Sequence, residues 1–158
     1  MNIIDPIKTK GNIIRAIEYK DGTKETAYFR NTVLDGGKMA LTYSLANQYG
    51  DGYNYYIRFM VFGDNGMDAG SERFVDSTRT SLFGNTRAQL YVSPVIDNSI
   101  VSQVIFVAVM GFEDANGYDL SEMGLQMANG QLYSMVTFPT LTKTSLMQIT
   151  WSWRQSFI

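Results

Sequence analysis

The chain has 158 residues, with 13 basic side chains against 15 acidic ones, and it contains neither cysteine nor histidine. A chain of this length can fold as one domain with a real core, and 45% apolar or aromatic residues against 18% charged ones exclude a disordered chain. The missing cysteines exclude disulfides, thiolate metal sites and thiol nucleophiles, and the missing histidines exclude a Ser-His-Asp triad and histidine-ligated zinc.

The basic residues are scattered through the sequence, so no direct nucleic-acid role is expected. The opening Met1-Asn-Ile-Ile-Asp-Pro6 lacks the basic, apolar and small-residue order of a signal peptide. The apolar run from Val104 to Met110 is far too short to span a bilayer, and no membrane partner is expected.

Residues 1–11, with Pro6, Lys8-Thr-Lys10 and Gly11, read as an N-terminal arm that either frays or lies on a neighbouring subunit. Residues 12–158 read as a single β-rich domain. Asn12 to Lys20 and Thr23 to Arg30 form a hairpin about the turn pair Asp21-Gly22. Ile17 and Tyr19 alternate with Glu18 and Lys20, which suits a sheet with one wet face. The one expected helix is Gly37 to Gln48, on the spacing of Leu34, Met39 or Ala40, Tyr43 and Leu45 or Ala46. Asp35 is its expected N-cap and Gly50-Asp51-Gly52 its stop. Tyr53 to Phe62 is an aromatic-rich strand. The stretch from Gly63 to about Arg79 reads as a long loop, functional or ordered by a partner. Thr80 to Leu82 opens a further element, and Arg87 to Val92 is a short strand.

In the second half, Ile100 to Met110 reads as a strand buried on both faces or nearly so. Glu113 to Gly117 is a turn and Leu120 to Leu125 a short strand. Asn129-Gly130 is a hairpin turn, and the return strand Leu132 to Phe138 ends at Pro139. Ser145 to Phe157 is the final strand, with Met147, Ile149, Trp151 and Trp153 on one face and Gln148, Thr150, Ser152 and Arg154 on the other. Seven or so strands and one helix predict a mostly β fold: an antiparallel β-sandwich or partly closed barrel with one helix packed on it.

No catalytic, metal-binding or cofactor-binding residue is assigned, and no cofactor is expected. Asp64 to Gly70 superficially resembles a calcium loop, but its twelfth position is Val75 where a bidentate glutamate is required. Only Glu72 and Asp76 remain as ligands for a non-standard site. Glu113, Asp114, Asp119 and Glu122 form a local acidic cluster that reads as solvated, without the cleft or sugar platform a glycosidase needs. Tyr43, Tyr49, Tyr53, Tyr55 and Tyr56, with Arg58 nearby, suit a core or an interface before a base stack or a sugar platform. Methionines such as Met135 fill core gaps or adaptable contacts. Trp151 and Trp153 belong to the core, while Phe157 is a candidate contact. The interface candidates are Tyr49, Tyr53, Tyr55, Arg58, Met135 and Phe157.

Four motifs in series carry a family resemblance: Asn31-Thr-Val-Leu-Asp-Gly-Gly-Lys-Met-Ala40; Tyr56-Ile-Arg-Phe-Met-Val-Phe-Gly-Asp64; Glu113-Asp-Ala-Asn-Gly-Tyr-Asp-Leu-Ser-Glu-Met-Gly-Leu125 with Asn129-Gly-Gln-Leu-Tyr-Ser-Met-Val-Thr-Phe138; and Leu141-Thr-Lys-Thr144 leading to Ile149-Thr-Trp151. Their order resembles a domain of tailed-bacteriophage virion structural proteins, of the small accessory or tail-fibre-associated kind, over roughly residues 31 to 157. Gln126 and Met135 depart from the pattern. The resemblance implies a virion location, partners among other virion proteins and copies of itself, and no catalytic residue. The expected function is a structural adaptor at the tail, neck or fibre attachment, with residues 1–30 as the docking or arm-exchange region. Capsid decoration (cement) and host-glycan binding are the alternatives. A hydrolase drawing two carboxylates from Asp64, Asp76, Glu113 and Glu122 is a further alternative, and an enzyme is not expected.

Overall fold

The computed structural model describes residues 8–46, 54–96 and 102–157. β1 (Thr9–Tyr19) and β2 (Lys24–Arg30) form the first hairpin. Its turn is set by Gly22, at φ 88°, and by the Asp21 carboxylate, which accepts hydrogen bonds from the Thr23 N–H and hydroxyl. Then come β3 (Thr32–Val33), α1 (Asp35–Leu45) and β4 (Ile57–Gly63). A small hairpin of β5 (Met67–Asp68) and β6 (Ser71–Glu72) leads to β7 (Thr86–Tyr91) and β8 (Ser93–Val95). Four long strands come last: β9 (Gln103–Met110), β10 (Asp119–Met127), β11 (Leu132–Thr142) and β12 (Met147–Phe157).

These strands build a mostly β sandwich of two five-stranded antiparallel sheets with one helix packed on it. The first sheet runs β2-β1-β12-β9-β8 and the second β3-β11-β10-β4-β7. Alternation along β12 sends Met147, Ile149, Trp151 and Trp153 inward, and all four are buried as the sequence predicts. Phe62 and Phe138 of the second sheet meet Trp151 across the gap, with ring centroids 5.1 and 5.6 Å away. Phe106, Met110, Met123 and Leu125 complete this main core.

A second, smaller core lies on the outer face of the second sheet. Val61 and Met135 point away from the main core and pack with Leu34, Val75, Leu82 and Leu132. The connection between β4 and β7 covers them. It is held by Glu122, which is fully buried and whose carboxylate accepts backbone N–H bonds from Asn65 (3.1 Å), Phe83 (2.6 Å) and Gly84 (2.8 Å). Next to it the Ser121 hydroxyl accepts from Gly66 N–H at 2.8 Å. The stretch from Gly63 to about Arg79, expected as a long loop that is functional or ordered by a partner, is thus held on its own sheet and carries the β5–β6 hairpin, and Thr80 to Leu82 starts no regular element.

Other expectations need correction. Thr9 to Gly11 belong to β1 and pair with Phe157, Ser156 and Gln155, so they are no arm; residues 1–7 lie outside the described set. The helix runs Asp35–Leu45 with Leu34 as N-cap; Asp35 sits in its first turn and pairs with Lys38 at 3.0 Å. Gly37 lets the helix approach closely, because a side chain there would collide with the Tyr133 carbonyl. The β4 strand begins at Ile57, not Tyr53, which itself lies outside the described residues. Pro139 does not end β11: the register shifts between Leu120 and Glu122, and Pro139 sits in the resulting bulge, where no ladder bond is required of it. Tyr133 is the extra residue of a second irregularity, between Leu125 and Gln126.

Two measurements follow from this packing. Glu122→Gln exchanges one acceptor oxygen for an NH2 that faces backbone donors, and should destabilise the fold by about 2–4 kcal/mol. Thermal unfolding should show a fall in Tm, and limited proteolysis should cut first within residues 64–85. Separately, burial pushes the Tyr133 hydroxyl from 10.0 up to about 12. Above pH 10 the unfolded chain releases this proton while the folded chain keeps it. Tyr133's share of stability is thus complete below pH 10 and lost as pH rises through about 12, a loss of about 2 kcal/mol by pH 12. Lys143 acts in the opposite sense, because burial lowers its pKa from 10.5 against the pull of Asp114 and Glu113. Chemical denaturation of the wild type and of Tyr133→Phe at pH 9 and 12 isolates the Tyr133 share, which the variant should lack.

Candidate functional site

The outer face of the first sheet differs from that of the second. Because the strands are in register, residues line up across it in rows. One row is Tyr28, Ile14, Ser152, Val107 and Ser93; the next is Arg30, Asn12, Arg154, Ile105 and Val95. Tyr28 is 74% exposed and Val95 49%. Among the described residues no second core covers this face. The rows line a shallow groove of about 670 Å3. Arg30 and Arg154 border its apolar floor, and neither takes part in an ion pair among the described residues.

The groove accounts for a misreading of β9. Its unbroken apolar run predicts burial on both faces, yet only Phe106, Ala108 and Met110 are buried, while Ile105 and Val107 are half-buried and Val109 is exposed. The same apolar run serves the core on one side and an uncovered surface on the other. Exposed apolar side chains grouped in this way make the face a candidate contact surface.

The interface candidates from the sequence fall in several places. Tyr49 and Tyr53 lie outside the described residues. Tyr55 is half-buried and stacks on Tyr43 with centroids 5.3 Å apart and planes at 19°. Arg58 is exposed on the second sheet, over the rings of Phe59 and Tyr91. Phe157 is half-buried beside Leu41 and Leu45 of α1. Met135 is corrected: it is fully buried in the smaller core, because its strand turns it under the β4–β7 connection. The structure does not gather the four described candidates into one patch. The sequence missed Ile14, Tyr28, Ile105 and Val107, although the apolar residues on both parities of β9 carried the signal.

Of the carboxylates considered for catalysis or cations, Asp64, Asp76, Asp114, Asp119 and Glu122 are each engaged separately. Asp64 pairs with Arg87 at 2.5 Å, Asp76 accepts from Thr78, Asp119 accepts from the Thr142 hydroxyl, and Glu122 holds three backbone N–H groups. Asp114 accepts from Gly111 N–H at 2.7 Å. No group of three or more metal-ligating side chains occurs among the described residues. No helix among them is long and apolar enough to cross a membrane.

Comparison with protein-family models, with curated proteins and with solved structures finds no match to this chain.

Ile14→Thr with Val107→Thr keeps β-branching while removing apolar surface from the open face. The pair should leave the fold within about 1–2 kcal/mol of wild type. Sedimentation should show self-association or partner binding weakened by at least about tenfold if the face is a contact surface.

Proposed function

We propose that this chain is a structural component of a phage particle, acting as an adaptor at the tail, neck or fibre attachment through the open face of its first sheet. The motif series that resembles virion proteins supports the phage setting. The observation that carries the contact role is the uncovered pair of cross-strand rows around Ile14, Tyr28, Ile105 and Val107. A particle component works by repeated contacts, and many weak copies of one interface add up to stable assembly. The two arginines at the groove edge, which form no ion pair among the described residues, favour a partner surface with an apolar centre and a carboxylate rim. The β1–β2 hairpin supplies part of the groove, in keeping with a docking role for residues up to 30.

Imaging of intact particles at side-chain resolution tests the reading. The expected result is a few copies in a ring or at one vertex, with the open sheet face against another subunit. Hundreds of copies on the shell would replace the adaptor by a capsid decoration protein. Absence from purified particles would overturn both.

A further inference from the structure

Among the described residues, the sandwich is not sealed at the end beside α1. A cleft of about 310 Å3 opens there between the two sheets, walled by Tyr55, Ile57, Val104, Phe106 and Tyr133, with Gln155 beside them. None of its lining residues carries a charge. Gln155 is out of place in its strand. The inward positions before it on β12 are Met147, Ile149, Trp151 and Trp153, and the next one in the series is this amide, 1% exposed. Neither its Nε2 nor its Oε1 has a hydrogen-bond partner among the described residues, and the Tyr133 hydroxyl has none either.

A buried amide without a partner destabilises a fold, and an apolar residue of similar shape would remove the penalty. Directly across from Gln155, position 11 is glycine, and Asn31 takes the space a side chain would fill. The Asn31 amide is likewise without a partner. Of these groups, the Gln155 amide and the Tyr133 hydroxyl belong to the wall of an otherwise aromatic and aliphatic space, with their donors and acceptors unused among the described residues. Their chemistry defines a complement: an adjacent donor and acceptor for Gln155, and flat apolar surface for Tyr55 and Phe106.

We infer that this cleft is a binding site for a small, neutral, flat molecule bearing an amide or an equivalent donor–acceptor edge. Its ring lies along Tyr55 and Phe106, and its polar edge meets the Gln155 amide after a rotation of that side chain. A carboxylate or ammonium ligand is disfavoured, because no lining residue would pair its charge. The cleft is about twice the ~150 Å3 cavity that takes benzene, so the ligand has roughly 10–15 non-hydrogen atoms. This site is separate from the open sheet face, and it stands or falls independently of any role in a particle.

The probes are benzamide, benzoate and toluene, titrated into the folded chain and followed by NMR at the Gln155 side-chain amide and the backbone amides of Val104, Phe106 and Phe157. Benzamide should give saturable shifts confined to these positions, and benzoate should give none there. In Gln155→Met, which keeps the length of the side chain, benzamide should bind about tenfold more weakly while toluene binding stays within about twofold of wild type. If that variant does not fold, Tyr133→Phe and the comparison of benzamide with benzoate on the wild type decide instead. Equal binding of benzamide to wild type and variant, equal shifts from benzoate, shifts that map to the outer sheet face, or no saturable binding of benzamide would each overturn the assignment.

Discussion

One buried carboxylate determines which faces of this sandwich meet water. Glu122 lies in the second sheet, where an unpaired charge would be costly, and it is stabilised there by three backbone N–H groups from the β4–β7 connection. Those bonds fix residues 64–66 and 82–84 against the sheet. With its two ends anchored, the connection lays Val75 and Leu82 over Val61 and Met135. Further bonds follow the same path: the Thr137 hydroxyl donates to the Arg73 carbonyl, and Asp35 N–H to the Ser77 carbonyl. Close contacts leave no room for side chains at Gly63 and Gly66, where a Cβ would strike Glu122 and the Ser121 carbonyl.

The result is an asymmetric molecule. The second sheet is covered on its inner face by the main core and, around Val61 and Met135, on its outer face by its own chain, while Gln89 and Tyr91 stay exposed at the β7 edge. The first sheet is covered on its inner face, and its outer face keeps half-exposed Ile and Val side chains between two arginines. Apolar surface held in register on five paired strands is rigid before any partner arrives, so little ordering entropy remains to be lost on contact. Edge strands are handled differently. β3 is two residues long, and β8 is three residues long with Pro94 at its centre, which limits pairing there with a further strand.

What the sequence discloses follows the range of the forces involved. Asp21-Gly22 and Asn129-Gly130 locate their hairpins because a turn is decided within a few residues, and both glycines adopt positive φ. The inward face of β12 is legible because alternation is a local pattern. Glu122 is different. Along the chain it joins Glu113, Asp114 and Asp119 in an acidic run, whereas in space it belongs with Asn65, Phe83 and Gly84, far away in sequence. The outer face of β9 misleads for a related reason: an apolar side chain looks the same whether its neighbour is its own core or another molecule. Pro139 reads as a terminator unless the bulge that accommodates it is known, and that bulge exists only as a relation between β10 and β11. Gln155 continues an alternating strand as one polar residue, and its isolation is visible only once the neighbouring strands are in place.

The central position of β12 in the first sheet bears on how the molecule is made. Ile13 must pair with Trp153, and Phe106 with the same tryptophan on its other side. The first hairpin, β1 with β2, is synthesised early, yet its inward residues Ile13 and Ile17 have no sheet to join until β12 has emerged. Until then the ribosome-bound chain carries two unjoined halves of a sheet, each with an apolar face and an unpaired edge. Pairing over such a sequence distance is slow and leaves intermediates prone to aggregation. Production in cells should therefore depend more on translation speed and chaperone supply than the small size of the domain suggests.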